Sequence, residues 1–269
     1  MPNISLKLFD LRDDPGADVQ SLAAIICLDP GLTSKLIHYA ATPFFGYGSR
    51  IDSIEDAITR VLGFDKALHM ALALDTGQSF DVPLDGPIGL KAIWRQSLYC
   101  ATLTQLLAEK LAPAQQPRSG MMYMSGLLHN IGFLLLGHLF KLDFSALNKK
   151  AEENPDTPIL ELEEFVLGIS HTDIGVWLMR QWCMPAELII STYEHHNSSY
   201  KGQHCIYPNL ILIANRLLRQ QGIGDEAETT VPKSMLDNLG LSKKDCLTAY
   251  EQLLENHTAL ETMVQELHN

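Results

Sequence analysis

The stretch Ser119–Phe140, SGMMYMSGLLHNIGFLLLGHLF, constrains this chain more than any other. Apolar residues lie on every side of the helix it predicts, so no face is left for water and the segment belongs at the centre of a packed body. In its middle stands the pair His129-Asn130, framed by Gly126 and Gly132, whose missing side chains let another backbone come close.

The rest of the chain supplies helices to surround that centre. From Ala17 to Leu28, Val19, Leu22, Ala23, Ile26 and Cys27 recur at helical spacing until Asp29-Pro30-Gly31 stops the run. Leu32 to Ala41 forms a second helix, ended before Pro43. Ser53 caps a third, Ile54 to Leu62, with Asp56 as an acidic variant of the capping box, and Gly63 closes it. Phe64 to Leu74 is a fourth, and Asp81–Pro87 is the sharpest cluster of breakers. Ile88 to Leu111 then reads as one long helix, followed by a polar loop between Pro113 and Pro117 and the central helix itself. Shorter helices are expected over Phe144–Glu153, Ile159–Leu167, His171–Cys183, Ala186–His195, Tyr207–Gln221 and Lys233–Leu239, and a last one runs from Ser242 to the end. Sustained period-two alternation and a fixed internal repeat are both missing, so the fold expected is all-α. Three segments follow: an N-terminal helical lobe over 1–86, a larger lobe over 87–219 and a C-terminal extension over 220–269, the lobes sharing a core.

Composition narrows the function classes. With 269 residues, 46% of them hydrophobic, the chain can bury a substantial core. A net charge of −12 opposes any partner held by phosphate contacts, so nucleic-acid binding is not expected. The five cysteines form no Cys-x-x-Cys pair, which argues against a zinc ribbon. The start, MPNISLKLFDLRDD, is acidic where a secretory leader would be apolar. A cytoplasmic protein with no membrane partner is the expectation.

Four places carry residues suited to chemistry: Gln96, the pair His129-Asn130, His171 in GISHTDIG, and His195-His196 in YEHHN. Imidazoles on separate helices of a bundle can converge on one metal. Each also has a plainer reading. His129 can be a core histidine satisfied by a neighbour, and Asn130 a buried hydrogen-bonding residue. Ser170-His171-Thr172-Asp173 fits a capping box, which commits Asp173 to backbone N–H groups and sets His171 beside the positive end of a helix dipole, where the neutral, coordinating ring is favoured. His195 and His196 point about 100° apart on a helix and can share an ion only near its end.

In their order along the chain these strings closely resemble the HDOD family. GLLHNIGFLLL and EEFVLGISHTDIGVWLMRQWCMPAELIISTYEHH match its Gly-Leu-Leu-His-Asp-Ile-Gly and Gly-x-Ser-His-x-x-Ile-Gly motifs and its paired histidines. DPGLTSKLIHYAATPFFGYGSRIDSIEDAITRVLGFDKALHMAL is similar to the family's N-terminal pattern, with Ala41-Thr42 where its members tend to have Asn-Ser. The likeness runs from about Asp18 to Ala214 and leaves Gln220 onward without a counterpart. It implies an HD-like helical bundle, a degenerate relative of the HD and HD-GYP phosphohydrolases. Carried over from those enzymes, the first ligand histidine falls on Gln96, the His-Asp pair on His129-Asn130, the later histidines on His171, His195 and His196, and the final Asp on Asn215.

These changes bear on function, because a hydrolytic two-metal site needs carboxylates to bridge ions and hold an activated water, and an amide offers only a neutral oxygen. The resemblance therefore implies a non-catalytic module of bacterial signal transduction, a pseudoenzyme that acts on a protein partner, by forming a homodimer, or on a small ligand. No cofactor is required. His129, His171, His195 and His196 could still retain a single divalent ion such as zinc or nickel. The alternative is a metal-dependent phosphohydrolase rebuilt around His138, Glu163, Glu164 or Glu194. The aromatic turn Pro43-Phe44-Phe45-Gly46-Tyr47-Gly48 is a candidate docking surface, or a loop tucked onto the core.

Overall fold

The computed structural model describes residues 3–41, 51–78, 80–117 and 119–266, and all regular structure among them is helical. Thr42 and the aromatic turn Pro43–Gly48 lie outside these residues. The chain divides into two compact units, Met1–Phe80 with Asn256–Asn269, and Asp81–Glu255. The boundary meets the breaker cluster at its first residue, six positions before the end of the 1–86 lobe expected from sequence. The 220–269 extension is not a body of its own: residues up to Glu255 belong with the second unit and those from Asn256 with the first.

The first unit contains α1 (Asn3–Arg12), α2 (Val19–Ile26), α3 (Pro30–Ala40), α4 (Ile54–Asp56) running into a π-helical turn (Ala57–Leu62), and α5 (Phe64–Gln78). Its helix starts are chemically marked. Asp18 and Ser21 form a reciprocal capping box on α2, Asp29 accepts from the Gly31 and Leu32 N–H groups ahead of α3, and Ser53 Oγ accepts from Asp56 N–H. Leu22, Ile26, Leu32, Leu36 and Ile58 are fully buried and form the core. Ser5 on α1 donates through backbone and hydroxyl to the Asp75 carboxylate on α5, which satisfies a buried polar pair.

The second unit contains α6 (Leu90–Ala108), α7 (Ser119–Leu128), α8 (Ile131–Leu139), α9 (Lys141–Glu153), α10 (Ile159–Val166), α11 (His171–Gln181), α12 (Ala186–Glu194), α13 (Ile206–Arg219), α14 (Lys233–Leu239) and α15 (Lys243–Glu255). The helix α16 (His257–Glu266) follows and packs on α3 in the first unit. α7 sits among α6, α12 and α13, while α8 packs on α11. Gly120–Leu139 is apolar enough by composition to cross a membrane, yet 89% of it is buried inside the fold, as a core element is.

The central segment is two helices and not one. It breaks at His129-Asn130, where Asn130 has φ −101° and ψ 17° and the His129 ring turns back onto the Gly126 carbonyl. Both framing glycines are required by packing. A Cβ on Gly126 would lie 2.6 Å from Ala101 Cα on α6, and one on Gly132 would lie 1.9 Å from the His171 carbonyl oxygen. The second contact docks the start of α8 directly on the start of α11 and so fixes where His171 stands.

Candidate functional site

Apart from the aromatic turn, the candidate residues of the sequence lie in the second unit, and most converge. His171 opens α11, with Ser170 and Asp173 forming the capping box expected, so Asp173 is occupied at the helix start. His195 and His196 follow the last residue of α12, and at that end both rings can turn the same way. The rings of His171 and His196 are 5.2 Å apart and those of His195 and His196 are 4.2 Å apart. His171 Nε2 and His195 Nε2 approach to 3.3 Å.

Each of these three rings is held from behind. Glu163, fully buried on α10, receives His171 Nδ1 at 2.9 and 3.0 Å. The Ser191 and Thr192 carbonyls receive His195 Nδ1 at 3.2 and 3.0 Å. Glu226 receives His196 Nδ1 at 2.6 Å. Acceptors behind each ring leave Nε2 pointing inward, the arrangement that orients metal-ligating histidines.

The carboxylate at the centre is one the sequence reading missed. Asp225 lies on a strap, residues 222–232, between α13 and α14, and its side chain is 1% exposed. Gln96 Nε2 donates to Asp225 Oδ1 at 2.5 Å and Asn130 Nδ2 to Oδ2 at 3.3 Å. Asn130 also donates to Gln96 Oε1 at 3.0 Å, so the two altered positions act together on one acid. Gly224, at φ +100°, lets the strap pass over Gln96, where a Cβ would come within 2.9 Å of Nε2. Arg216 anchors the strap by binding the Thr230 carbonyl at 2.7 Å and Glu228 at 2.9 Å. A cavity of about 200 Å³ bordered by Ile88, Asn154, Arg219, Asp225 and Glu226 reaches the strap.

His129 stands slightly apart. Its ring is 4.9 Å from that of His195, but Nδ1 is against the Gly126 carbonyl and Nε2 accepts from Asn215 Nδ2 at 3.2 Å. Both of its nitrogens are therefore engaged by groups outside the set of His171, His195, His196 and Asp225. Of the acids considered as replacements, Glu163 lies behind His171, Glu164 is exposed, and Glu194 bonds Asn197 Nδ2. His138 accepts from the Asp81 N–H, away from the cluster. The missed signal was in the sequence GIGDE, two glycines ahead of paired acids after an arginine-bearing apolar helix.

Burial and charge divide the cluster. Burial pushes the His129 pKa down to about 4 and holds that of His195 well below the ordinary imidazole range, with its histidine neighbours adding to the effect. Burial works against a charged His196 too, but the Asp225 and Glu226 carboxylates outweigh it and lift its pKa to about 10. Burial opposes ionisation of Asp225, and the facing imidazoles, His196 first, overcome it and hold its pKa well below the usual carboxylate value.

The body is all-helical among the described residues, and histidines at the ends of separate helices converge in it beside a buried carboxylate. The HDOD domain model matches residues 1–198, and the chain belongs to the HDOD family. It is 24% identical over 263 residues to an uncharacterized protein of Treponema pallidum (strain Nichols), covering 95% of this chain and 49% of that protein. A solved structure from Marinobacter aquaeolei VT8, provisionally assigned to signal transduction, is similar at 28% identity and TM-score 0.85, over 100% of this chain and 59% of that one. An HDOD domain protein of unknown function from Geobacter sulfurreducens (22%, TM-score 0.73, 99% and 92% covered) shares the fold. So does a provisionally assigned phosphohydrolase from Shewanella amazonensis SB2B (18%, TM-score 0.74, 99% and 94%). The chain thus spans about half the length of the Treponema relative and under two thirds of the Marinobacter one.

Proposed function

We propose that this chain is a non-catalytic regulatory module of bacterial signal transduction, working in the cytoplasm by binding a protein partner or a small ligand. The observation that carries the reading is the pairing of Gln96 and Asn130 on Asp225. The two side chains that would have to supply a charged or imidazole ligand to a two-metal hydrolase are neutral amides, and their N–H groups are spent on the strap. Asn215, at the third altered position, is likewise spent on His129. The small cavity beside Asp225 gives a small ligand a way to reach the strap, and the signal-transduction assignment of the Marinobacter structure accords with the reading.

A second reading, a rebuilt metal-dependent phosphohydrolase, is favoured by one observation: Asp225 brings a carboxylate within reach of three inward-facing histidines. Hydrolysis of bis(p-nitrophenyl) phosphate with added manganese separates the two. The regulatory reading expects no turnover above buffer. Turnover that disappears in His171→Ala would overturn it.

A further inference from the structure

The second unit carries an exposed aromatic face that the histidine site does not use. α11 and α12 lie antiparallel, since a Cβ on Gly175 near the start of α11 would come 2.7 Å from Thr192 Cγ2 near the end of α12. The solvent side of this hairpin opens a groove of about 670 Å³ lined in part by Ile189 and Ile190. Trp177 and Tyr193 border it, 56% and 53% exposed. Neither ring stacks on another, and neither Trp177 Nε1 nor Tyr193 OH has a partner among the described residues. Two large rings left open on one groove are the composition of an interface, where Trp and Tyr are enriched.

The ends of the groove have opposite signs. Asp173 and Glu194 stand where α11 begins and α12 finishes, and Arg180 stands in the last turn of α11. Arg180 is exposed and makes no ion pair or hydrogen bond among the described residues. Asp173 and Glu194 accept only from the neutral groups of Ser170 and Asn197. Asp173, Trp177 and Arg180 form one stripe, because spacings of four and three residues return to the same face of a helix. At 1.5 Å per residue, Asp173 lies about 6 Å before Trp177 along the axis and Arg180 about 4.5 Å after it. The indole is thus close to the midpoint between acid and base.

A surface arranged in this way is complementary to itself. Turning a second copy by half a revolution about an axis through Trp177 sets each Arg180 over the partner's Asp173 and the partner's Glu194, with the two indoles meeting at the centre. We infer that this face joins two copies of the chain in an isologous dimer, α11 and α12 of each copy forming a four-helix contact around Trp177. A net charge of −12 makes two copies repel at long range, which favours a face where each brings a free cation to the other's acids. The groove is small beside a standard interface, so the pair is a weak one, with a Kd on the order of 10 µM. The dimer goes beyond the regulatory reading and does not rest on it.

Sedimentation velocity of the untagged 269-residue chain tests this, over a range from about 1 to 200 µM that brackets such a Kd. Monomer giving way to dimer is the expected result. Trp177→Ala should weaken the dimer at least about 10-fold, as loss of a central aromatic anchor does. Far-ultraviolet circular dichroism checks that it folds, and Tyr193→Ala takes its place if it does not. Arg180→Glu should weaken the dimer about 10-fold by setting acid against acid. Adding Glu194→Lys to Arg180→Glu in the same chain should recover about 5-fold, since the new acid then faces the partner's new cation. A monomer at every concentration would overturn the dimer. So would a dimer that the folded aromatic variant leaves undiminished, or a double variant that recovers nothing. Phosphodiester hydrolysis is read separately: turnover sinks the regulatory reading and leaves the dimer, whereas a monomer without turnover sinks the dimer alone.

Discussion

The two units bury very different things. The first hides almost only hydrocarbon, with Ser5, Lys66, His69 and Asp75 as its buried polar residues among those described. The second places Gln96, His129, Asn130, Glu163, His171, His195 and Asn215 at its centre, most of them without any exposure. Burying polar groups costs free energy unless each finds a partner, and a network left half satisfied is worse than an apolar core. Asn130 Oδ1 and Asn215 Oδ1 find no hydrogen-bond partner in the second unit, and His69 Nε2 finds none in the first. A chain that builds a dry core in one unit and accepts this cost in the other keeps the polar centre for what it does, not for stability.

Substitutions can break or sharpen that contrast. The largest effect is expected for Gly132→Ala, whose Cβ would collide with the His171 carbonyl oxygen. Backbone must shift to relieve it, at a cost of about 3 kcal/mol or more, and urea unfolding should show this together with altered imidazole NMR signals. Leu36→Ala in the dry core should cost about 3 kcal/mol by leaving a cavity, but leave the imidazole signals unchanged. If both variants move those signals equally, the division between a structural and a functional unit is wrong.

Lys66 offers the opposite sign. Burial pushes its pKa from 10.5 down to about 8, so the unfolded chain holds that proton more tightly than the folded one between those values. Stability therefore rises as pH climbs through this window, by on the order of 3 kcal/mol at most. Lys66→Met should be stabilised at pH 7 by up to that amount, and the advantage over wild type should shrink toward pH 10.5; a gain independent of pH would refute the assignment. The smallest effect is reserved for a helix cap: Asp29→Ala should cost about 1 kcal/mol, read as a small drop in Tm.

Much of the fold was legible because its signals are local. Ser53 and Ser170 announce helix starts through side chains that bond within three residues, and Asp18 and Asp29 do the same, although Asp29-Pro30-Gly31 reads from sequence only as a stop. α1 was not read, since Ile4, Leu6 and Leu8 alternate and draw no helical stripe. The break inside Ser119–Phe140 was hidden too, because Gly126 and Gly132 read as sites of close packing and not as a helix end, and neither residue of the pair at the break is a proline or glycine. In the site, the three converging histidines stood out by residue type. Asp225 did not, for its place depends on a loop folding back over α6, and only Arg216 and Gly224 hint that it does so.

The return of the chain in α16 has a consequence for how the protein is made. Leu260, Met263 and Val264 are buried, and α16 packs on α3, yet more than two hundred residues separate the two helices in synthesis. The first unit emerges from the ribosome first and is finished last. Until α16 is translated, the face of α3 that it covers is open to water, and the nascent chain carries that exposed surface for the whole time the second unit is being made.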